Sequence, residues 1–234
     1  MARELDAYLQ CHMNEGPDEG RCCFDNYKKT TAELYQEIGY WSPETKAFAN
    51  QCVCMDPVEL SIMGKFGVGI STQPYSNAIW GNGIAPVTDM LKYGINVGIG
   101  SDDGEGNYFE LMRLVMLLQR GRRFQGDAIP ETEAFRMATE MGARAIGFDD
   151  VGTLEPGMKA DFLILDNHAP IYLKERHIIS EIIWFTNPSD VVAVYVDGDC
   201  VFTEGKTTYL DDDRIQQEFK DMVYEFCKGQ PYQD

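Results

Sequence analysis

Residues 94–112, GINVGIGSDDGEGNYFELM, combine a short apolar strand, an acidic loop and the start of a helix. Ile, Val and Ile alternate just before Gly100, which is typical of a buried strand. From residue 108 to 119 the apolar spacing becomes that of an amphipathic helix. Because parallel α/β proteins gather functional groups at the carboxyl ends of their strands, Asp102 is a candidate metal ligand or acid/base group.

The same stretch is compatible with two more roles. An Asp before a helix often caps it, by accepting hydrogen bonds from the first free N–H groups. A glycine-rich phosphate loop is the third possibility, but Asp102 and Asp103 would then lie where the anion binds. The two acids therefore argue against a phosphate site.

Composition narrows the class of protein. With 234 residues and 44% apolar residues, the chain can build a substantial core, and its formal charge of −18 argues against nucleic acid or an anionic membrane as a partner. No apolar run approaches the roughly 20 residues of a membrane helix, so we expect a cytoplasmic protein. The seven cysteines lack zinc-finger spacing and are expected to be reduced thiols, with a disulfide or a zinc site as the alternative.

A second strand end also carries ionisable residues. The strand-like run 8–11 precedes His12, and Glu15 follows three residues later, before a Gly-Pro turn. An imidazole and a carboxylate at this spacing can share a site as ligand and proton carrier. The alternative is a structural or surface histidine.

The order of elements predicts the fold class. Up to about residue 125, strand and helix alternate four times, which favours a parallel sheet of βαβ units. After Gly147 the pattern changes to a small antiparallel β module with a hairpin turn at Asp197-Gly198, followed by an amphipathic helix from 211 to 227. The module as predicted includes both remaining histidines, His168 and His177. The other predicted elements are helices over 24–38, 58–66, 86–92 and 132–146, and a loop over 73–77.

Five segments occur in an order that is characteristic of one enzyme family. They are HMNE at 12–15, PYSN at 74–77 with GIAP at 83–86, GIGSD at 98–102, MAT at 137–139 with GA at 142–143, and VGTLEPGMKAD at 151–161. Together they resemble the C-terminal half of amidohydrolase-superfamily enzymes of the cytosine deaminase, guanine deaminase and triazine hydrolase type. The resemblance extends from about residue 5 to residue 206.

This resemblance implies a metal-dependent α/β hydrolase. Residues 1–147 would be strands 5–8 of a (β/α)8 TIM barrel, and 148–210 the C-terminal part of a small β-sandwich. Residues 211–234 would form a closing helix and tail. The implied reaction is hydrolysis of a C–N or related bond in a small, nitrogen-heterocyclic substrate.

The resemblance also implies roles for single residues. His12 would be the metal ligand of the fifth strand, and Asp102 the eighth-strand carboxylate that touches one divalent ion, Zn or Fe, and takes a proton from water. Glu15 would carry a proton to the substrate or leaving group. Gln51 stands where the family has a histidine, and an amide can hydrogen-bond but cannot act as an acid or base near neutral pH.

The expected substrate contacts come from the loops at the strand ends. Asn77, Trp80 and Tyr75 are the candidate substrate-binding residues, with Phe109 as a further lining residue. Aromatic residues in such loops can equally serve packing, so that alternative stays open. The leaving group, whether amino, alkylamino, halide or ring nitrogen, is not determined by these residues.

The resemblance covers only the C-terminal half of the family's barrel. No His-x-His pair occurs in the sequence, and four βα units cannot close an eight-stranded barrel. We therefore expect a partner, an N-terminal-half amidohydrolase chain that supplies the His-x-His pair, with further oligomerisation. The alternatives are a portion of one longer enzyme, and a non-catalytic half-barrel that scaffolds or regulates an active partner.

Overall fold

The structure, a computed structural model, describes residues 4–102, 106–166 and 177–228. The chain divides into two compact units, the first comprising Met1–Met158 with Asn167–Pro188 and the second Lys159–Asp166 with Ser189–Asp234. The strands are β1 Leu9–Met13, β2 Ala47–Gln51, β3 Gly69–Thr72, β4 Val97–Ile99, β5 Phe162–Leu165, β6 Val191–Val196, β7 Asp199–Thr203 and β8 Lys206–Thr207. The α-helices are α1 Pro17–Tyr27, α2 Thr31–Glu37, α3 Pro57–Phe66, α4 Pro74–Ile79, α5 Val87–Lys92, α6 Tyr108–Arg123, α7 Glu131–Met137, α8 Glu140–Ala145, α9 Ile178–Phe185 and α10 Asp212–Cys227.

The first unit is built on a four-stranded parallel sheet in the order β1-β2-β3-β4. In its register His12 lies beside Asn50, Asn50 beside Ser71, and Ser71 beside Gly98. Helices connect each strand to the next. The predicted alternation of strand and helix, and the parallel sheet inferred from it, are confirmed.

The two faces of this sheet differ in exposure. One face carries Met13, Ala49, Ile70 and Val97, all of which are buried. On the other face His12 is exposed. We call this second face the His12 face, and its residues are Gln10, His12, Phe48, Asn50, Gly69, Ser71 and Gly98.

Helix α8 covers part of the His12 face through direct backbone contact. A Cβ added to Gly98 would lie 3.0 Å from the Gly142 Cα, and one added to Gly69 would collide with the Ala145 carbonyl oxygen. Glycine is therefore required at Gly69, and at Gly98 it avoids a tight contact with the helix backbone. The helix therefore lies over β3 and β4, and leaves the exposed His12 on β1 uncovered.

The single helix predicted over 24–38 is wrong, because the structure has α1 and α2 there. Lys28 adopts a left-handed conformation (φ 56°) that ends α1. Thr30 then begins α2 with a capping box, in which its side chain accepts from the Glu33 N–H and the Glu33 carboxylate accepts from the Thr30 N–H. The Thr-x-x-Glu signature was visible in the sequence.

Two further predicted elements need correction. The loop predicted over 73–77 is helix α4, which starts at Pro74, a residue that favours the first helical turn. The helix predicted over 132–146 is two helices, α7 and α8. They are separated at Thr139, whose backbone (φ −129°, ψ −109°) leaves the helical region.

The second unit contains a four-stranded antiparallel sheet in the order β5-β6-β7-β8. Asp197 (φ 50°) and Gly198 (φ 86°) form the predicted hairpin turn between β6 and β7. The amphipathic helix predicted at 211–227 is α10. That this sheet is part of a larger sandwich stays a prediction.

The boundary of the β module differs from the prediction of 148–210. Helix α9 falls in that range but belongs to the first unit, where the Arg113 side chain donates to the carbonyls of Ile183 (2.9 Å) and Thr186 (3.2 Å). His177 precedes α9 and is therefore not in the β module, while His168 lies outside the described residues. Among the helices described, none is both long and apolar enough to cross a membrane.

Candidate active site

Left-handed backbone marks the carboxyl ends of the parallel strands. Asn14 (φ 47°) follows β1, Gln51 (φ 72°) and Cys52 (φ 52°) end β2, and Asp102 (φ 57°) follows β4. Such a conformation costs a non-glycine residue of order 1–3 kcal/mol, and persists where surrounding contacts hold it. These positions include two predicted catalytic residues and the neighbour of a third, so left-handed backbone helps to set where the candidate site residues lie.

Gln51 and Asp102 are in direct contact although 51 residues separate them. The Gln51 Nε2 donates to the Asp102 Oδ2 at 2.6 Å. The Gln51 backbone N–H donates to the Gln73 Oε1 (2.8 Å), and the Gln73 Nε2 donates to the Ser71 Oγ (3.0 Å). This chain of hydrogen bonds crosses from β3 through the end of β2 to the loop after β4, and it fixes one Asp102 oxygen.

The structure excludes helix capping as the role of Asp102. Helix α6 is capped by Asn107, whose Oδ1 accepts from the Glu110 N–H (3.3 Å). Asp102 is therefore not the N-cap residue. Its neighbour Asp103 lies outside the described residues.

Glu15 is held by a side chain from another strand-end loop. Its Oε1 accepts from the Asn82 Nδ2 at 2.8 Å, and its backbone N–H donates to the Glu19 Oε2 at 3.1 Å. Asn82 follows α4, which itself follows β3. Asn82 was not among the predicted site residues, and its only local signal is its position between Gly81 and Gly83.

A second unpredicted contact supports the turn between His12 and Glu15. The Asn14 Nδ2 donates to both oxygens of Glu59, at 2.9 and 3.1 Å, and the Asn14 Oδ1 accepts from the Thr31 Oγ1 at 2.8 Å. Glu59 is buried, and this burial raises the pKa of its carboxyl. The Asp56-x-x-Glu59 capping box was a usable sequence signal for the carboxylate, but not for its contact with Asn14.

The structure places His12 and Asp102 at opposite edges of the sheet, on β1 and after β4. Within the described residues, no three His, Cys, Asp or Glu side chains are grouped to hold a metal ion. The predicted metal ligands are thus present as residue types, but they do not form a complete site.

The three predicted substrate-binding residues have different surroundings. Asn77 is buried, and within the described part of the chain its side-chain amide has no hydrogen-bond partner. It faces a small internal cavity together with Thr72 and Gln119. Trp80 is exposed and Tyr75 is half-buried, and neither lines that cavity. Their contact with a substrate stays a prediction.

All seven cysteines are free thiols in the structure. Burial raises the pKa of Cys11 to about 11 and also raises the pKa of Cys52. Both thiols are therefore protonated near neutral pH.

Comparison with known proteins identifies the family. The profile of the amidohydrolase family matches residues 1–201. This chain belongs to the amidohydrolase family. A 5-methylthioadenosine/S-adenosylhomocysteine deaminase of Dictyoglomus thermophilum is 29% identical to it over 231 residues, which are 97% of this chain and 54% of that protein.

Solved amidohydrolase structures share the fold. A zinc-bound adenosine deaminase from Xanthomonas campestris matches with a TM-score of 0.86 and 21% identity, over 96% of this chain and 52% of that one. An atrazine chlorohydrolase from Arthrobacter aurescens, complexed with zinc, matches with a TM-score of 0.82 and 24% identity, over 95% and 50%. The resemblance inferred from the sequence is confirmed, and the chain spans about half the length of the amidohydrolases it matches.

Proposed function

We propose that this amidohydrolase chain forms the catalytic carboxyl half of a metal-dependent aminohydrolase barrel, completed by a second polypeptide. The observation that carries the proposal is the Gln51–Asp102 contact. It joins the end of β2 to the loop after β4 through two residues that both have left-handed backbone. Membership of a family whose relatives are named deaminases supports a hydrolytic role.

The proposed roles follow from the side chains. His12 and Asp102 would hold one divalent ion, zinc or iron, since neutral imidazole and carboxylate are suitable ligands for both. When bound, such an ion would lower the pKa of water toward 7 and polarise the substrate. Asp102 would accept a proton from that water, and Glu15 would deliver a proton to the substrate or leaving group. Gln51 would orient Asp102 without exchanging protons.

The need for a partner follows from what the described part of the chain offers. Its His and Asp ligands number two, whereas a zinc site generally uses three or four protein ligands. The parallel sheet has two unpaired edges, at β1 and β4. In a closed barrel the carboxyl ends of all strands lie around one rim, where their side chains can share a site. A polypeptide carrying four further strands and a His-x-His pair would pair both edges and add the ligands that are missing.

We propose a 6-aminopurine nucleoside or a related aminated heterocycle as the substrate class. The supporting observation is that the curated relative is named for deamination of methylthioadenosine and S-adenosylhomocysteine. The reaction would add water to the carbon that bears the amino group and release ammonia. Asn77, Trp80 and Tyr75 remain the candidate contacts to the heterocycle.

The test is reconstitution. This chain is co-expressed with a candidate N-terminal-half amidohydrolase chain, and the product is analysed for stoichiometry, metal content and ammonia release from adenosine, methylthioadenosine and guanine. We expect a complex with one divalent ion per barrel and turnover of at least one of the three. A folded, metal-loaded monomer of this chain alone would contradict the proposal.

The rival function is a scaffold that supports an active partner. Replacing Asp102 with Ala in the complex separates the two, because a scaffold would keep its partner's activity and a catalytic half would lose it. Asp127→Ala is a matched control, since the Asp127 Oδ1 also accepts from a glutamine amide, that of Gln125 at 2.8 Å, at an exposed position. We expect loss of activity in D102A only.

A further inference from the structure

The loops after three strands of the first unit are tied together. The Cys52 N–H donates to the Met13 carbonyl (3.0 Å), and the Val53 and Cys54 N–H groups donate to the Asn14 carbonyl (3.1 and 2.9 Å). These bonds continue the pairing of β1 with β2 beyond the strands themselves. The Glu15 loop therefore has a rigid neighbour on one side.

Asn82 joins the third loop to this pair. Its backbone N–H donates to the Asn77 carbonyl (3.0 Å), which anchors it to helix α4. Its side chain spans to the Glu15 Oε1 at 2.8 Å, across 67 residues of sequence. Because the Asn82 main chain is fixed against α4, the helix sets the direction in which the Asn82 side chain points.

The two flanking glycines favour this placement. Gly81 (φ 69°) and Gly83 (φ 119°) adopt backbone conformations that other residues rarely reach. A Cβ added to Gly83 would lie 3.1 Å from the Val53 Cγ1, so the loop packs closely on the end of β2. The conformation of 81–83 is thus set by its surroundings and not by Asn82 alone.

We infer that Asn82 is a positioning residue for Glu15. An amide N–H can only donate, so it holds the carboxylate by one oxygen and leaves the Oε2 for proton transfer. It fixes the side-chain rotamer of Glu15 without supplying or removing a proton. This inference rests on the proposed function, in which Glu15 carries a proton between water and the aminated heterocycle.

Loss or inversion of the Asn82 contact has specific consequences. Removing the donor releases the Glu15 side chain to other rotamers, and a misplacement of about 1 Å in a reacting group costs of order 100-fold in rate. Replacing the donor with a carboxylate would do more, because it would place a like charge within hydrogen-bond distance of Glu15. Because the Asn82 side chain contacts the proposed proton carrier, we expect KM to stay nearly unchanged.

The experiment uses the reconstituted complex with methylthioadenosine, and compares Asn82→Ala, Asn82→Asp and Asn82→Ser with the native protein. Asn26→Ala is the matched control, because the Asn26 Nδ2 also donates a 2.8 Å bond, to the Cys22 carbonyl on exposed helix α1. We expect kcat to fall by about 10- to 100-fold in N82A, further in N82D and least in N82S, with melting temperature and KM close to native. N26A should have native kcat.

Three results are distinguishable. The expected ranking of kcat at constant KM supports the inference. If the native complex turns over substrate and N82A keeps the native kcat, whether or not its KM changes, Asn82 has no positioning role. The proposed function still stands in that case. A metal-loaded native complex that releases no ammonia from any of the three heterocycles overturns the proposed function and this inference with it.

Discussion

Gln51 carries the most consequential side-chain contact of the molecule. Gln51 is buried, its Nε2 donates to Asp102, and within the described part of the chain its Oε1 has no hydrogen-bond partner. A glutamine amide can donate to the carboxylate but cannot exchange protons near neutral pH, so this contact orients Asp102 without taking or supplying a proton.

Gln51→Glu is expected to destabilise the protein. It replaces a buried donor with a second carboxylate beside Asp102, so we expect the free energy of unfolding at pH 7 to fall by about 1–3 kcal/mol. Urea unfolding followed by circular dichroism measures this change. The control is Gln125→Glu, where the corresponding contact with Asp127 is exposed and solvent screens the repulsion. Equal losses in the two variants would contradict the buried contact.

Glu59 makes stability depend on pH in a defined direction. Its folded-state pKa is raised by burial, so between its unfolded pKa of about 4.3 and its folded pKa the folded form binds a proton that the unfolded form has released. Its contribution to the free energy of unfolding is therefore lost as the pH rises through this window. The sign is the reverse of that for a salt-bridged carboxylate.

Glu59→Gln removes this titration. The variant loses acceptor capacity toward the Asn14 Nδ2 and the Asp56 N–H, so it is less stable than the native protein, but the difference should shrink as the pH rises from about 4 toward neutrality. Urea unfolding at three pH values measures the trend. A difference that grows with pH would contradict it.

At the scale of elements, the position of α8 depends on glycine. The helix contacts β3 and β4 without intervening side chains, because Gly69 and Gly98 present no Cβ to it. Gly142 on the helix is equally constrained, since an added Cβ would lie 2.6 Å from the Met137 carbonyl oxygen. Close backbone packing of this kind allows no gradual adjustment.

Gly69→Ala is expected to force α8 away from β3. The cost should be at least about 2 kcal/mol in the free energy of unfolding, as for an overpacked core. Gly121→Ala is the matched control: Gly121 lies within helix α6 with open space around it, so an added methyl should stabilise by about 0.5–1 kcal/mol. Chemical unfolding of both variants under the same conditions checks the opposite signs.

The same glycines explain why the one helix predicted over 132–146 is two helices, α7 and α8, in the structure. The region 132–146 has continuous helical spacing, yet the chain turns at Thr139. Gly142 and Ala145 could then contact β3 and β4 at short range, which a straight continuation of α7 would not place them to do. Tertiary packing has overridden local periodicity here.

At the scale of the whole molecule, the described strands of the first unit form a parallel sheet with two unpaired edges, at β1 and β4, and His12 on β1 is exposed. Unpaired strand edges favour association with another polypeptide. In the proposed assembly that polypeptide is the amino half of the barrel, and both the metal site and the sheet are completed by the same event. Metal binding and assembly should therefore be coupled.

The coupling can be measured by thermal unfolding with and without zinc. A ligand that binds only the assembled state raises its stability by RT ln(1 + [L]/Kd), about 2.7 kcal/mol at 100 times Kd. We expect zinc to raise the melting temperature of the reconstituted complex and a chelator to reverse this, with little effect on this chain alone. His12→Ala should abolish the shift, and His177→Ala, which replaces the histidine before α9, should not. A full zinc response in H12A would exclude His12 as a ligand.

The sequence alone determined the family, the parallel order of βαβ units and the segments that carry the candidate site. The regular alternation of apolar runs and the ordered motifs are local properties, so they can be recognised from the sequence alone. The residue that caps α6 could not be predicted in this way. Asp102 and Asn107 both satisfy the local pattern, and only the hydrogen bond of Asn107 distinguishes them.

What only the tertiary structure decided are the contacts between distant loops. Gln51 with Asp102, Asn82 with Glu15 and Asn14 with Glu59 join residues 51, 67 and 45 positions apart. The physical reason is that parallel strands bring their carboxyl ends to one edge, whereas the choice of partner there depends on left-handed backbone and on strand register. Neither the left-handed backbone nor the strand register can be inferred from the residue types alone.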